Sequence, residues 1–181
     1  MRISKLSLVV AFLIVAIASV QPRATHARTP APAAPAEANP LDRSTLIEID
    51  ALYRKLIDAE NLHVLAEVRA MVWDSPSTLF VAKTATAAEG NWAGFWGIDV
   101  VMQHFGDLYS GTFVMAPDYG QVKTVGLTAE VAETYAPLKI TVAYAGQTPV
   151  PKPFLMIVEW IHTPEGWRIA TDIALPIPSP P

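Results

Sequence analysis

The spacing of apolar residues changes once along this chain, near Gly111. Before that point apolar side chains recur every three or four residues, as in helices, and after it they alternate every second residue, as in strands. Helices followed by a run of consecutive strands predict an α+β domain. We expect three N-terminal helices packed on a curved antiparallel sheet, which together form a cone with an apolar interior.

The boundaries of these elements follow from caps, turns and the same spacing. The predicted helices begin near Asp42, at Leu62 with Asn61 as its N-cap, and at Ile98, and the last two end near Val72 and Tyr109. The predicted strands are Thr78 to Ala82, Val122 to Leu127, Val131 to Tyr144, Phe154 to His162 and Trp167 to Ala174. The segment from Lys83 to Gly97 is predicted to be a loop.

The N-terminus has the features of a signal peptide. Arg2 and Lys5 precede a short apolar run from Leu6 to Val20, in which Ala16 to Ala18 provide a possible cleavage site, and a second possible cleavage point follows Ala27. We therefore expect a secreted or periplasmic protein, with an uncleaved membrane anchor as the alternative. The predicted organisation is a signal peptide (1–27), an Ala/Pro-rich linker (28–40), the folded domain (41–176) and a Pro-rich tail (177–181).

Composition excludes several classes of function. The chain has no cysteine, so thiolate metal sites and disulfides are absent. From Leu41 onward nine Lys and Arg stand against sixteen Asp and Glu, a net charge of −7, which disfavours contact with nucleic acid or anionic membranes. No phosphate loop or nucleophile elbow is present, and we expect no cofactor and no metal.

The last two strands predict which side chains face the interior. With Thr163 to Gly166 as the turn, strict alternation places Val158, Trp160, Trp167, Ile169, Thr171 and Ile173 on one face. The opposite face receives Glu159 and Asp172, which we expect to point away from the interior. The interior is therefore predicted to be apolar and uncharged.

Three short motifs resemble the nuclear transport factor 2-like superfamily, and in particular its SnoaL-like subgroup. They are Glu60-Asn61 opening the second helix, Gly97-Ile98 opening the third, and the segment Thr163 to Ile169. The resemblance implies a cone with an apolar pocket and a homodimer formed through the outer face of the sheet. Because ketosteroid isomerases, dehydratases, cyclases and non-catalytic binders share this fold, it does not define the function.

The pattern of the isomerases is only partly present. Tyr53 stands eight residues before Asn61, as the oxyanion-hole tyrosine does in those enzymes. Their catalytic base would fall within Leu79 to Val81, and their second acid at Val158, where this chain is apolar. Since proton transfer next to a carbonyl needs a positioned base, the isomerase activity is not predicted.

The remaining candidates define one leading hypothesis and two alternatives. We expect the cone to bind a small apolar or aromatic ligand; the candidate ligand-binding residues are Tyr53, Phe80, Trp92, Trp96, Phe105, Val158, Trp160 and Ile173. The segment 89–97, rich in Trp and Gly, is predicted to be either a lid over the pocket or a plug that fills it. One alternative is a protein-interaction module without a cavity. The other is a dehydratase- or cyclase-type enzyme using Tyr53, Asp74 and His104, although His104 is expected to be partly exposed.

Overall fold

The computed structural model of the chain describes residues 39–83, 92–144 and 146–178. The helices are α1 (Arg43–Asn61), α2 (Leu65–Met71) and α3 (Ile98–Tyr109). The strands are β1 (Leu79–Lys83), β2 (Trp92–Trp96), β3 (Thr112–Pro117), β4 (Lys123–Gly126), β5 (Val131–Ala143), β6 (Pro151–Thr163) and β7 (Gly166–Pro176). The predicted signal peptide lies outside the described residues, as do most of the linker and the end of the tail. Within them, no helix is long and apolar enough to cross a membrane.

The three helices pack on one open sheet, as the α+β prediction requires. The strand order is β2-β1-β7-β6-β5-β3, with β4 also paired to β5. Every neighbouring pair is antiparallel except β1 and β7, which run parallel. The sheet is therefore mixed, and the prediction of a purely antiparallel sheet is wrong at this one pair.

The first helix starts as predicted but ends later. Asp42 is the N-cap, and its carboxylate accepts a hydrogen bond from the Thr45 backbone N–H at 2.8 Å. Asn61 does not cap the second helix; it is the last residue of α1, and α2 begins only at Leu65. The Asn61 amide instead donates to the backbone carbonyl of Met115 and accepts from its N–H, which joins the end of α1 to β3.

The segment that was predicted to be an aromatic loop contains a strand. Residues 92–96 form β2, which pairs antiparallel with β1 and extends the sheet at its edge. Pairing in this strand places Phe95 opposite Phe80 and Trp96 opposite Leu79. Residues 84–91 lie outside the described residues, so the choice between lid and plug is not decided for them.

A β-bulge in the final hairpin reverses the alternation of side chains. Trp160 pairs with Ile169, as the predicted turn requires, but Glu159 pairs with Thr171, so Ala170 is the extra residue. Beyond a one-residue bulge every following side chain changes face. Asp172 now lies opposite Val158 and Phe80 on the inner face, and Ile173 lies opposite Ile157 on the outer face.

Candidate functional site

Two carboxyl groups are buried in the interior of the domain. Glu60, in the last turn of α1, is 1% exposed, and Asp172, just beyond the bulge of β7, is 4% exposed. The prediction that Asp172 points outward is therefore wrong, because strict alternation was assumed through a strand that contains a bulge. The same prediction is correct for Glu159, which stays on the outer face. The interior is apolar but not free of ionisable groups.

Two small cavities meet at Glu60, and Asp172 lines the smaller of them. The larger, of about 30 Å³, is lined by Glu60, Phe80, Ala82, Trp92, Leu108, Phe113, Ile140, Val142, Phe154, Met156 and Ala174. The smaller, of about 10 Å³, is lined by Leu56, Glu60, Val72, Thr78, Leu79, Phe80, Val101, Phe105, Ile169 and Asp172. A buried water molecule needs a cavity volume of about 10 to 15 Å³, so the larger cavity has room for two or three waters.

The polar atoms at the cavities are not satisfied by the rest of the protein. Glu60 Oε1, Asp172 Oδ1 and the Tyr109 hydroxyl are buried and have no hydrogen-bond partner among the described residues. The Tyr53 hydroxyl contacts only a weak acceptor, the Met156 sulfur at 3.9 Å. Buried polar groups without partners carry a desolvation penalty, and a molecule bound in the larger cavity would provide a partner for Glu60; Tyr53 and Tyr109 line neither cavity.

Burial changes the proton affinity of both carboxyl groups in the same direction. Removal from water raises the pKa of Asp172 to about 8. The pKa of Glu60 is also raised well above its usual value, first by burial and then by the neighbouring Asp172 carboxylate. At neutral pH Asp172 therefore carries a proton, and the raised pKa of Glu60 favours its protonated form; a protonated carboxyl can donate a hydrogen bond.

Tyr53 and Tyr109 complete this polar cluster. Tyr53 is fully buried in α1, and burial together with the nearby charges of Asp172 and Glu60 raises the pKa of its hydroxyl. Tyr109 lies at the end of α3, and burial and Glu60 raise the pKa of its hydroxyl as well. Both phenols thus stay protonated, and the cluster as a whole presents O–H donors.

His104 is buried, contrary to the prediction of a partly exposed side chain. It is 3% exposed, and its ring stacks on Phe95 with centroids 3.8 Å apart. Because burial lowers its pKa to about 4, the ring is neutral at physiological pH. Strand β2, absent from the prediction, is what covers this face of α3.

The predicted group of Tyr53, Asp74 and His104 does not form a shared site. Asp74 is exposed and lines an open surface groove with Ser75, Pro76, Gly97, Ile98, Asp99 and Val100. None of these residues lines either interior cavity. The enzyme hypothesis based on these three residues is therefore not supported by their positions.

The other predicted ligand-binding residues divide into three groups. Phe80, Trp92 and Phe105 line the cavities. Val158 and Trp160 are fully buried in the core, where the Trp160 indole N–H donates to the Thr134 hydroxyl at 3.0 Å. Trp96 is 60% exposed and Ile173 lies on the outer face, so neither is in the interior.

Glu60 was not recognised as a site residue, although the sequence carries a signal for it. It follows Leu56 by four residues and Tyr53 by seven, which continues the apolar stripe of α1. An acid on such a stripe either extends its carboxyl group to water or is buried. A buried acid is a candidate functional residue. The assignment of Glu60-Asn61 to the start of the second helix concealed this position.

Comparison with known proteins defines the fold. No protein-family model and no curated protein matches the chain. Among solved structures, a ketosteroid isomerase-like protein from Erwinia carotovora atroseptica is 18% identical with a TM-score of 0.61, covering 76% of this chain and 100% of the other. A nuclear transport factor 2-like superfamily protein from Salmonella enterica is 14% identical with a TM-score of 0.61 over 76% and 94% of the two chains.

A third structure supports the same conclusion. An uncharacterized protein with a cystatin-like fold from Caulobacter vibrioides is 11% identical, with a TM-score of 0.61 over 75% of this chain and 91% of the other. The chain therefore has the α+β cone fold of the nuclear transport factor 2-like superfamily. At these identities the likeness concerns the fold alone, and the SnoaL-like subgroup stays a prediction.

Proposed function

We propose that the interior binds a small neutral molecule that has an apolar body and one hydrogen-bond acceptor, such as the oxygen of a ketone or aldehyde. The observation that carries this proposal is the Glu60 carboxyl, which lines both cavities and has an oxygen without a partner among the described residues. A protonated carboxyl in an apolar pocket donates a strong hydrogen bond to such an acceptor and gains the partner that it lacks.

The walls of the larger cavity fix the character of the ligand. Besides Glu60, every residue that lines it is apolar, and four of them are aromatic: Phe80, Trp92, Phe113 and Phe154. No cationic side chain among the described residues lines it, so an anionic ligand would lack a counter-ion from this part of the chain. The volume of about 30 Å³ is too small for a flat aromatic ligand and favours molecules of a few heavy atoms.

Binding of butan-2-one to the purified protein, followed by ligand-observed NMR, tests this proposal. We expect millimolar affinity that weakens as rising pH removes the proton from Glu60, whose pKa burial raises well above its usual value. Glu60→Gln keeps an N–H donor, so it should retain binding and reduce the pH dependence. Glu60→Leu should lose binding at least tenfold.

The control for these variants is Glu159→Gln, on the outer face of the same sheet. It should leave affinity unchanged. Equal binding by wild type and Glu60→Leu would contradict the proposal, as would the absence of any binding.

The outer face of the sheet is our proposed contact between two copies of the chain. It carries half-exposed or exposed apolar side chains on three adjacent strands: Tyr135, Leu155, Ile157, Ile161, Ile173 and Leu175. Burial of such a patch would favour association. Sedimentation should show a dimer for wild type and a monomer for Ile157→Lys. The control Ile47→Lys, at an exposed position of α1, should remain dimeric.

Export is also proposed from the predicted signal peptide. Cleavage near Ala18 or after Ala27 would remove the apolar segment from the mature protein. Mass spectrometry of the protein expressed with its full N-terminus in a secreting host would show the shortened chain. The full-length mass in the membrane fraction would indicate an anchor instead.

A further inference from the structure

The two interior cavities have two lining residues in common, Glu60 and Phe80. Asp172 lines only the smaller cavity, whereas Trp92, Phe113 and the other apolar walls line only the larger one. A ligand in the larger cavity therefore meets the carboxyl of Glu60 but is separated from that of Asp172. Within the described ranges, the other side chain shared by the two cavities is the ring of Phe80.

Phe80 is held at the boundary by strands and rings on both sides. It is the second residue of β1 and lies opposite Phe95 on β2 and Asp172 on β7. Its ring is buried, with its centroid 4.8 Å from that of Phe105 and 5.5 Å from that of His104. Its position is thus set by packing within the aromatic cluster.

We propose that Phe80 is the specificity-determining residue of the interior site: its ring closes the ligand chamber at Glu60 and excludes molecules long enough to reach Asp172. This inference rests on the proposed binding function. The ligands accepted by the wild-type protein are then short carbonyl compounds with one acceptor. A smaller side chain at position 80 joins the two cavities into one chamber that has a carboxyl at its middle and another at its far end.

The joined chamber would have a distinct chemical preference. A molecule with two acceptors separated by a short apolar link could bond Glu60 with one oxygen and Asp172 with the other. Hexane-2,5-dione has this form, and hexan-2-one has the same length without the second acceptor. Comparing these two ketones separates an effect of ligand length from an effect of hydrogen bonding to the second carboxyl.

The experiment measures the affinity of butan-2-one, hexan-2-one and hexane-2,5-dione for the full chain by ligand-observed NMR. Phe80→Leu and Phe80→Ala are compared with Phe113→Leu, which enlarges only the larger cavity. We expect both Phe80 variants to bind hexane-2,5-dione at least tenfold more tightly than wild type does. Adding Asp172→Leu to Phe80→Leu should remove most of this gain, because the hydrogen-bond donor at the far end of the chamber is lost. Phe113→Leu should increase the affinity for hexan-2-one and for hexane-2,5-dione by the same factor.

Each outcome decides the inference. If wild type binds butan-2-one and the Phe80 variants gain nothing for the longer ligands, Phe80 is not the determinant and the proposed function stands. A gain that is equal for both six-carbon ketones, or that persists without Asp172, also overturns it. If no variant binds any ketone, the inference and the proposed function both fall. Phe80→Leu decides the matter if Phe80→Ala does not fold.

Discussion

A pair of neighbouring carboxyl groups lies at each face of the sheet; the inner pair joins Asp172 of β7 to Glu60 of α1. On the outer face Glu133 and Glu159 are direct partners across β5 and β6, and both side chains reach solvent. On the inner side Glu60 and Asp172 are buried among apolar residues. The two pairs consist of the same chemical groups and differ in their exposure to water. Hydration supports charge at the outer pair, whereas the inner pair lowers its free energy by keeping protons.

The largest expected effect is on the pH dependence of stability through the inner pair. Asp172 has a pKa of about 8 in the folded protein and about 3.9 when unfolded. Between these values the folded state binds more protons than the unfolded state, so the free energy of unfolding falls as pH rises. The slope is about 1.4 kcal/mol per pH unit for one proton, and it adds to that of Glu60, whose pKa is raised in the same direction.

Urea unfolding between pH 6.5 and 8 measures this slope. Asp172→Asn should flatten it and should be more stable than wild type at pH 8. A free energy of unfolding that is constant across this range in the wild-type protein would contradict the burial of the pair as acids.

His104 should produce the next largest effect on the free energy of unfolding. Its contribution changes with pH in the opposite direction to that of Asp172 and at lower pH. Its pKa is about 4 in the folded protein, against about 6.5 when unfolded. In this interval the unfolded state binds the extra proton, so stability rises with pH and partly cancels the effect of Asp172. His104→Phe should remove this contribution and raise stability near pH 4.5, measured by thermal unfolding. Equal acid sensitivity of the variant and the wild type would show that His104 is hydrated.

The outer pair should give the smallest effect. The double variant Glu133→Gln, Glu159→Gln removes two like charges that face each other across strands, so we expect a stabilisation of a few tenths of a kcal/mol. Ketone affinity should stay unchanged, because these side chains lie on the far side of the sheet. A loss of affinity comparable to that of Glu60→Leu would remove the distinction between the two faces.

Parts of the fold follow from local patterns that the structure confirms. Helix α3 has the predicted bounds, Ile98 and Tyr109, because its apolar period is unbroken. The hairpin turn after Thr163 is also as predicted, and it sets the correct pairing as far as Ile169. Strands β2 and β3 were not predicted. In β2 the glycines and tryptophans have no clear alternation, and pairing with β1 determines its conformation.

The candidate site was only partly predictable. Tyr53 and Phe80 were identified by their place in the resemblance, and Trp92 and Phe105 by their aromatic character. Glu60 was missed because Asn61 was assigned as a helix cap, although its amide binds the backbone of Met115. That contact joins residues far apart in the sequence, and no local pattern reports it.

The sequence by itself determined the class of the fold, the acidic and cysteine-free domain, and the apolar lining of its interior, since these depend on periodicity and composition. The tertiary structure decided which acids are buried. A single extra residue, Ala170, turns Asp172 inward, and a strand with a bulge has the same local composition as one without it. The choice between the two is made by the packing of β7 between β1 and β6, which is a property of the whole sheet.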